Sequence, residues 1–202
     1  MKILAEKEAE EFLEKEGFPI VKRRLVKSLD QIKSCSNEIG YPIVLKNPDL
    51  LHKTEKNGVI MNVMECNLEE AYNNLLSSNP KLILVQKQIE GIEIVVGLKK
   101  DPTFGHVVAL GIGGIFTEAI KDVSFRVCPI KKEDVLEMIK ELRTHEIFEG
   151  FRGKKINVES IISIVLKVCE LSKKYPSIKE LDINPLIVKE EATIVDARVI
   201  FE

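Results

Sequence analysis

Asn184 and Asp196 are the two side chains of this sequence best suited to grip a divalent cation together. They flank the polar break Lys189-Glu-Glu191, in a stretch that reads Glu-Leu-Asp-Ile-Asn-Pro-Leu-Ile-Val and then Thr-Ile-Val-Asp-Ala-Arg. Leu181, Ile183, Leu186, Ile187 and Val188 before the break, and Ile194 and Val195 after it, predict two strands and a turn. In such a hairpin Asn184 and Asp196 can face each other from neighbouring strands. An amide oxygen and a carboxylate are hard ligands, suited to Mg²⁺ with bound phosphates completing its shell. A plain hairpin whose polar residues face water fits the same letters.

Other positions offer phosphate chemistry. His52, one of three histidines, lies in Pro48-Asp-Leu-Leu-His-Lys-Thr54. A neutral imidazole nitrogen can attack a phosphoryl group and form a labile phosphoramidate, and Lys53 beside it can hold the phosphoryl charge. An exposed loop histidine is the plainer alternative. Lys46 ends the apolar strand Tyr41-Pro-Ile-Val-Leu-Lys46, so its ammonium either snorkels to water or meets an anion. Gly58, after Asn57, opens the next strand with backbone N–H groups able to face phosphates, or serves a tight turn alone.

Gln86-Lys-Gln-Ile-Glu-Gly-Ile-Glu93 joins two strands. Gln86, Lys87, Gln88 and Ile89 form a linker able to present amides and carbonyls to a nucleobase edge, and Glu93 could take part in nucleotide or metal binding. A simple strand connection is the alternative. Gly111-Ile-Gly-Gly114 is neither Gly-x-Gly-x-x-Gly nor a P-loop. Gly113 and Gly114 would nonetheless let backbone approach a ligand closely. In Ser124-Phe-Arg126 a guanidinium on a neighbouring strand is a natural partner for phosphate or carboxylate.

The elements that must position these groups follow from periodicity. Ala5, Ala9, Phe12 and Leu13 predict an amphipathic helix over 3–16 closed by Gly17. Ser28 and Gln31 form a capping-box pattern opening a second helix that stops at Gly40, and Asn67 with Glu70 caps a third. Residues 17–80 thus read as a small α/β lobe. Lys81–Ile89, Ile92–Leu98, His106–Leu110 and Val123–Val127 read as an antiparallel run opening a larger α+β lobe over 81–202, with helix 3–16 packed on it. Glu133–Leu142 and Asn157–Lys173 are its helices, the latter with a stripe of Ile161, Ile162, Val165, Leu166 and Cys169.

The 202 residues are 45% hydrophobic and 31% charged, enough for one two-lobed domain or two small ones. A net charge of −2 with interspersed signs argues against nucleic acid and membrane surfaces as partners. Cys35, Cys66, Cys128 and Cys169 lack Cys-x-x-Cys spacing and read as reduced thiols of a cytoplasmic protein. No apolar run reaches the roughly 20 residues of a membrane span, and no signal-peptide pattern opens the chain.

Glu180-Leu-Asp-Ile-Asn-Pro-Leu186 with Val195-Asp-Ala-Arg198, and Gly111-Ile-Gly-Gly-Ile-Phe with Lys121-Asp-Val-Ser-Phe-Arg126, resemble the nucleotide-binding beta subunit of ADP-forming acetyl-CoA synthetases, relatives of succinyl-CoA synthetase. Arg143 and Glu149-Gly-Phe-Arg-Gly153 continue the likeness, and the His-Lys-Thr loop resembles that family's mobile phosphohistidine loop. The resemblance implies a two-lobed ATP-grasp fold, α/β in class (α+β), with ATP or ADP and Mg²⁺ in the cleft. It places Asn184 and Asp196 as Mg²⁺ ligands, Lys46 and Arg126 on phosphate charge, and His52 as the phosphoryl carrier. It implies a partner alpha subunit, in a heterotetramer, supplying the CoA site and a second phosphorylated histidine. Departures are a segment Lys46-Asn-Pro-Asp49 two residues shorter than usual, Lys87 at a usually acidic position, and a late start to the chain. The rival readings are an ATP-grasp ligase acting through a direct acylphosphate, an ATP-binding regulatory module, and a purely structural subunit.

Overall fold

Short apolar runs become strands and the amphipathic stretches become helices laid along one side of them. The computed structural model describes residues 1–48, 50, 58–114, 122–150 and 156–202. In chain order its elements are β1 (Lys2–Leu4), α1 (Glu6–Lys15), β2 (Arg23–Val26), α2 (Leu29–Ile39), β3 (Ile43–Lys46), β4 (Val59–Val63), α3 (Leu68–Leu76), β5 (Ile83–Lys87), β6 (Ile92–Asp101), β7 (Gly105–Ile112) and β8 (Val123–Val127). Then come α4 (Lys132–Glu141), α5 (Glu146–Glu149), α6 (Val158–Lys174), β9 (Ile178–Val188), β10 (Ala192–Ile194) and β11 (Ala197–Phe201). They divide into two units, Val21–Ile89 and Met1–Ile20 with Glu90–Glu202.

In the smaller unit four antiparallel strands run in the order β2-β5-β3-β4. Ile43, Leu45, Val63, Ile83 and Val85 point to one face, where Ile32 and Cys35 of α2 and Leu68, Ala71 and Leu75 of α3 close a dry core. Ser28 caps α2 as expected, its Oγ accepting from the Gln31 N–H at 3.4 Å. The Gln31 amide oxygen accepts from Lys27 N–H, one residue before the cap. Asn67 does not cap α3. Its Oδ1 instead accepts from the Met64 N–H, because a short 3₁₀ turn at Glu65–Asn67 precedes the helix and takes the side chain first. The strand expected at the start of the larger lobe belongs here: β5 pairs with both β2 and β3, which carries this unit to Ile89. A four-residue apolar run states that a strand is buried, not which sheet receives it.

The larger unit is a seven-stranded antiparallel sheet, β1-β11-β9-β6-β7-β8 with β10 on β9. Val96, Leu98, Val108, Leu110, Leu181, Ile183 and Leu186 point to the face covered by α4 and α6, against Val135, Met138, Ile161, Ile162 and Val165. Asn157 caps α6 as its spacing indicates, accepting from the Ser160 N–H. Ala9, Leu13 and Phe18 join that core from α1, and Phe12 stands edge-on to Tyr175 and Phe201. β1 pairs with β11, a three-residue strand too short for periodicity to reveal. One expectation about the thiols fails. Cys128, just past β8, and Cys169 on α6 are joined in a disulfide, their Cα atoms 5.7 Å apart despite a separation of 41 positions in the chain. Cys35 and Cys66 remain thiols, buried and exposed respectively. Among the described residues no helix is long and apolar enough to cross a membrane.

Candidate functional site

β9 carries its hydrophobic side chains inward at Leu181 and Ile183 and again at Leu186 and Val188. The phase slips by one residue between them. Opposite, β6 has the single residue Val95 where β9 has Asn184 and Pro185, since Ile94 pairs with Leu186 and Val96 with Ile183. The extra residue makes a bulge, a device that re-aims a side chain. Its other neighbour breaks at the same level, because Val195 and Asp196 separate β10 from β11. The Asn184 N–H donates to the Asp196 carbonyl at 3.1 Å, and the Val195 N–H to the Pro185 carbonyl at 3.1 Å. Asn184 and Asp196 are therefore direct cross-strand neighbours.

Register adds what the spacing did not single out. Asp182 lies opposite Arg198, one pair along on the same outward face. Burial pushes the Asp182 carboxyl above its ordinary range; the nearby charges of Asp196 and Glu180 push the same way, and Arg198 opposes them. The signal was present in the sequence, since Glu180, Asp182 and Asn184 alternate with apolar residues at period two. Asn184 and Asp196, with Asp182 beside them, bring an amide oxygen and two carboxylates to one bulge, hard donors of the kind a divalent cation takes. Among the described residues no group of three or more His, Cys, Asp or Glu side chains is disposed as a metal cage. An amide oxygen and carboxylates fit Mg²⁺, which is held by one or two carboxylates with phosphate and water.

Glu93 faces outward on β6, opposite Ile187 of β9. Its carbonyl accepts from the Gly113 N–H at 2.7 Å. A Cβ on Gly113 would stand 3.0 Å from the Glu93 carbonyl carbon, and one on Gly114, where φ is +89°, 3.1 Å from the Glu93 carboxylate. These glycines make room for Glu93 and hold it beside the bulge.

Arg126 goes elsewhere. It pairs with Val108, which pairs with Leu98, which pairs with Leu181, so its side chain is on the helix-covered face, opposite to Asp182 and Asn184. There Glu141 of α4 takes its guanidinium in a two-pronged pair, with Nη1 to Oε2 at 2.9 Å, and Ser124 donates to the same carboxylate. The hydrogen bonds of Arg126 and Ser124 hold the Glu141 carboxyl down at about 2. Arg126 thus lies on the face away from the bulge, paired to Glu141. Asp122 likewise anchors structure, its carboxylate accepting from the Arg143 and Thr144 N–H groups.

In the smaller unit Lys46 is 5% exposed. It shares the sheet face away from α2 and α3 with Val44, Leu84 and Gln86, all buried; Lys46 pairs with Leu84 and Val44 with Gln86. Lys46 and Gln86 are thus brought to one face. Lys87 points the other way, its ammonium donating to the carbonyls of Gly40 at 3.0 Å and Tyr41 at 2.7 Å, where it caps the end of α2. The Gln88 amide is used at both ends by Asn62, which sits at φ +57° in β4. Ile89 is half-buried at the end of the unit. Gly58 is buried and its carbonyl accepts from the Asn47 N–H. His52 and Lys53 lie outside the described residues.

A family profile described as an ATP-grasp domain matches residues 1–201. The chain is 41% identical to acetate–CoA ligase (ADP-forming) I subunit beta of Pyrococcus furiosus, over 98% of this chain and 91% of that subunit. It is 37% identical to acetate–CoA ligase (ADP-forming) I of Archaeoglobus fulgidus, over 93% of this chain but only 29% of that longer one. Among solved structures, a dinucleotide-forming acetyl-coenzyme A synthetase 1 of Ca. Korarchaeum cryptofilum superposes with a TM-score of 0.86 at 36% identity, over 100% of this chain and 93% of that one. That structure is in complex with coenzyme A and Mg-AMPPCP, with a phosphohistidine segment pointing towards the nucleotide binding site.

Proposed function

The chain belongs to the ATP-grasp domain family, and from that premise we propose that it is the nucleotide-binding subunit of an ADP-forming acyl-CoA ligase. The overall reaction is acyl-CoA with ADP and phosphate giving a carboxylic acid, CoA and ATP, reversibly. Phosphate displaces CoA from the thioester on a CoA-binding alpha subunit. The phosphoryl group of the acylphosphate then passes to histidine, releasing the carboxylate. On this chain His52 carries the phosphoryl group: a β-phosphate oxygen of ADP attacks phosphorus, the P–N bond breaks, and neutral imidazole returns.

Asn184 and Asp196 would hold Mg²⁺, with Asp182 as the adjacent carboxylate, and the ion when bound neutralises phosphate charge. Glu93 borders that group and is kept there by Gly113 and Gly114. Lys46 offers an ammonium to the nucleotide phosphates, and Gln86 lies on the same face of its sheet. Lys87 and Gln88 act in the fold of the smaller unit, so nucleobase contacts along that linker fall to its backbone and to Ile89. The partner subunit, and a heterotetramer with it, belong to this reading.

The observation that carries it is the hydrogen-bonded pairing of Asn184 with Asp196 at a bulge bordered by Asp182. Incubation with γ-labelled ATP and Mg²⁺ tests it. An acid-labile, base-stable label is expected on the wild-type chain and none on His52→Ala. Label that persists in His52→Ala rejects transfer through this histidine. A chain that binds ATP but never takes up label is the regulatory or direct-acylphosphate alternative.

A further inference from the structure

β8 is turned inside out for an edge strand. Its polar side chains, Ser124 and Arg126, go to the helix side, where Glu141 receives both. Phe125 and Val127 go to the open side and are 60% and 47% exposed. Register spreads this pattern over two further strands. Phe125 stands opposite Ala109 and Val127 opposite Val107 on β7; these stand opposite Gly97 and Lys99 on β6. Phe104, 65% exposed, sits at the turn joining β6 to β7. The next strand on this face brings Asp182 opposite Gly97 and Glu180 opposite Lys99. One sheet face therefore runs from an apolar edge directly into the carboxylates of the proposed cation site.

Exposed aromatic and branched side chains on an edge strand invite aggregation and are ordinarily blunted by charge. Here the one charge in that grid is Lys99, on the strand farthest from the edge. The grid of three strands covers roughly 200 Å² at ordinary strand spacing, the size of a docking centre rather than a whole interface of about 800 Å² per partner. The relatives say what such a centre is for. This chain spans 91% of the length of a separate beta subunit and 29% of the length of a single longer ligase. In the longer chain the remainder is tethered. In the separate subunit it has to be bound, and lasting contacts between chains are built around apolar centres.

Resting on the function proposed above, we infer that the outer face of β7 and β8, centred on Phe125 and Val127, docks the CoA-binding partner chain. The partner need supply only an apolar patch facing Phe125 and Val127.

The test uses this chain and the chain of the same genome that aligns with the unmatched part of the longer ligase, expressed separately and titrated by sedimentation and calorimetry. A double variant, Phe125→Glu with Val127→Glu, is compared with Met61→Glu, an exposed apolar residue of the other unit. The edge variant is expected to weaken the complex roughly 30-fold or more, as removal of a hot spot does, while Met61→Glu does not. Its melting temperature should still rise with Mg-ADP, showing an intact fold and nucleotide site. Equal affinity in the edge variant and wild type overturns the docking surface, as does a wild type that never binds the partner while responding to Mg-ADP. A wild-type homodimer that Phe125→Glu with Val127→Glu dissociates, with partner affinity unchanged, overturns it in favour of a second copy. Edge-dependent partner binding without any Mg-ADP response upholds the docking and removes the nucleotide reading instead.

Discussion

Asp182 and Arg126 were equally visible as charged letters on strands, and register alone separates them. Asp182 shares the face and the bulge of Asn184 and Asp196; Arg126 is on the reverse side, paired to Glu141. Period two shows that a strand has two faces without showing which one is covered, and in β8 the polar residues take the covered face. Asn184 and Asp196 were legible because a hairpin turn fixes their pairing locally. Asp182→Asn is expected to weaken Mg²⁺-dependent ADP binding by roughly 10–100-fold, as loss of an orienting carboxylate does; Mg²⁺ titration at fixed ADP measures it, and an unaltered Mg²⁺ dependence removes Asp182 from the site. Arg126→Gln should leave phosphoryl transfer within about twofold of wild type, a change too small for loss of a transition-state contact, while lowering the melting temperature. The pair also has a pH signature. The Glu141 carboxyl is depressed in the folded chain from its ordinary 4.5 to about 2. Its contribution to stability is therefore fully present above pH 4.5 and fades as pH falls through about 2. The stability gap between wild type and Glu141→Gln should narrow across that window in acid denaturation profiles, and a gap that widens there contradicts the pairing.

At the level of elements, helices were read more faithfully than strand membership. The stripes of α1 and α6 and the caps Ser28 and Asn157 fix those helices by local spacing. β5 could not be allotted, because its pairing with β2 and β3 joins residues distant in sequence. The same limit hid the Cys128–Cys169 bridge. Two cysteines 41 positions apart carry no local sign that a strand end will meet a helix. The bridge closes α4, α5 and α6 as far as Cys169 into one loop. Chain entropy for a loop of that length corresponds to about 4 kcal/mol of stability at 25 °C. Reductant should accordingly lower the melting temperature of wild type, and Cys128→Ser should match reduced wild type with or without reductant. Identical melting of oxidised and reduced wild type would show that these two sulfurs do not bridge in solution.

For the chain as a whole, the two-lobed ATP-grasp reading rested on two blocks, Gly111–Arg126 and Glu180–Arg198, and their structural meaning proves unequal. The second builds the outward acidic face; in the first, the described residues Gly113, Gly114, Asp122 and Arg126 fix strands and Glu93. Residues that fix strands and residues that do chemistry are told apart by binding. Ligand at a hundredfold excess over Kd stabilises the native state by about 2.7 kcal/mol. For a chain of this size each kcal/mol moves the midpoint by roughly 2–4 °C. ADP with Mg²⁺ should therefore raise the melting temperature by about 5–11 °C. Chelation by EDTA should abolish most of that rise, and Asp196→Ala should do the same with Mg²⁺ present. Arg126→Gln should keep the full increment from its lower starting point, since its guanidinium is spent on α4. An absent rise in wild type would make this chain a structural subunit, whatever its fold. A rise kept in Asp196→Ala would move the cation away from the hairpin on which the assignment of chemistry depends.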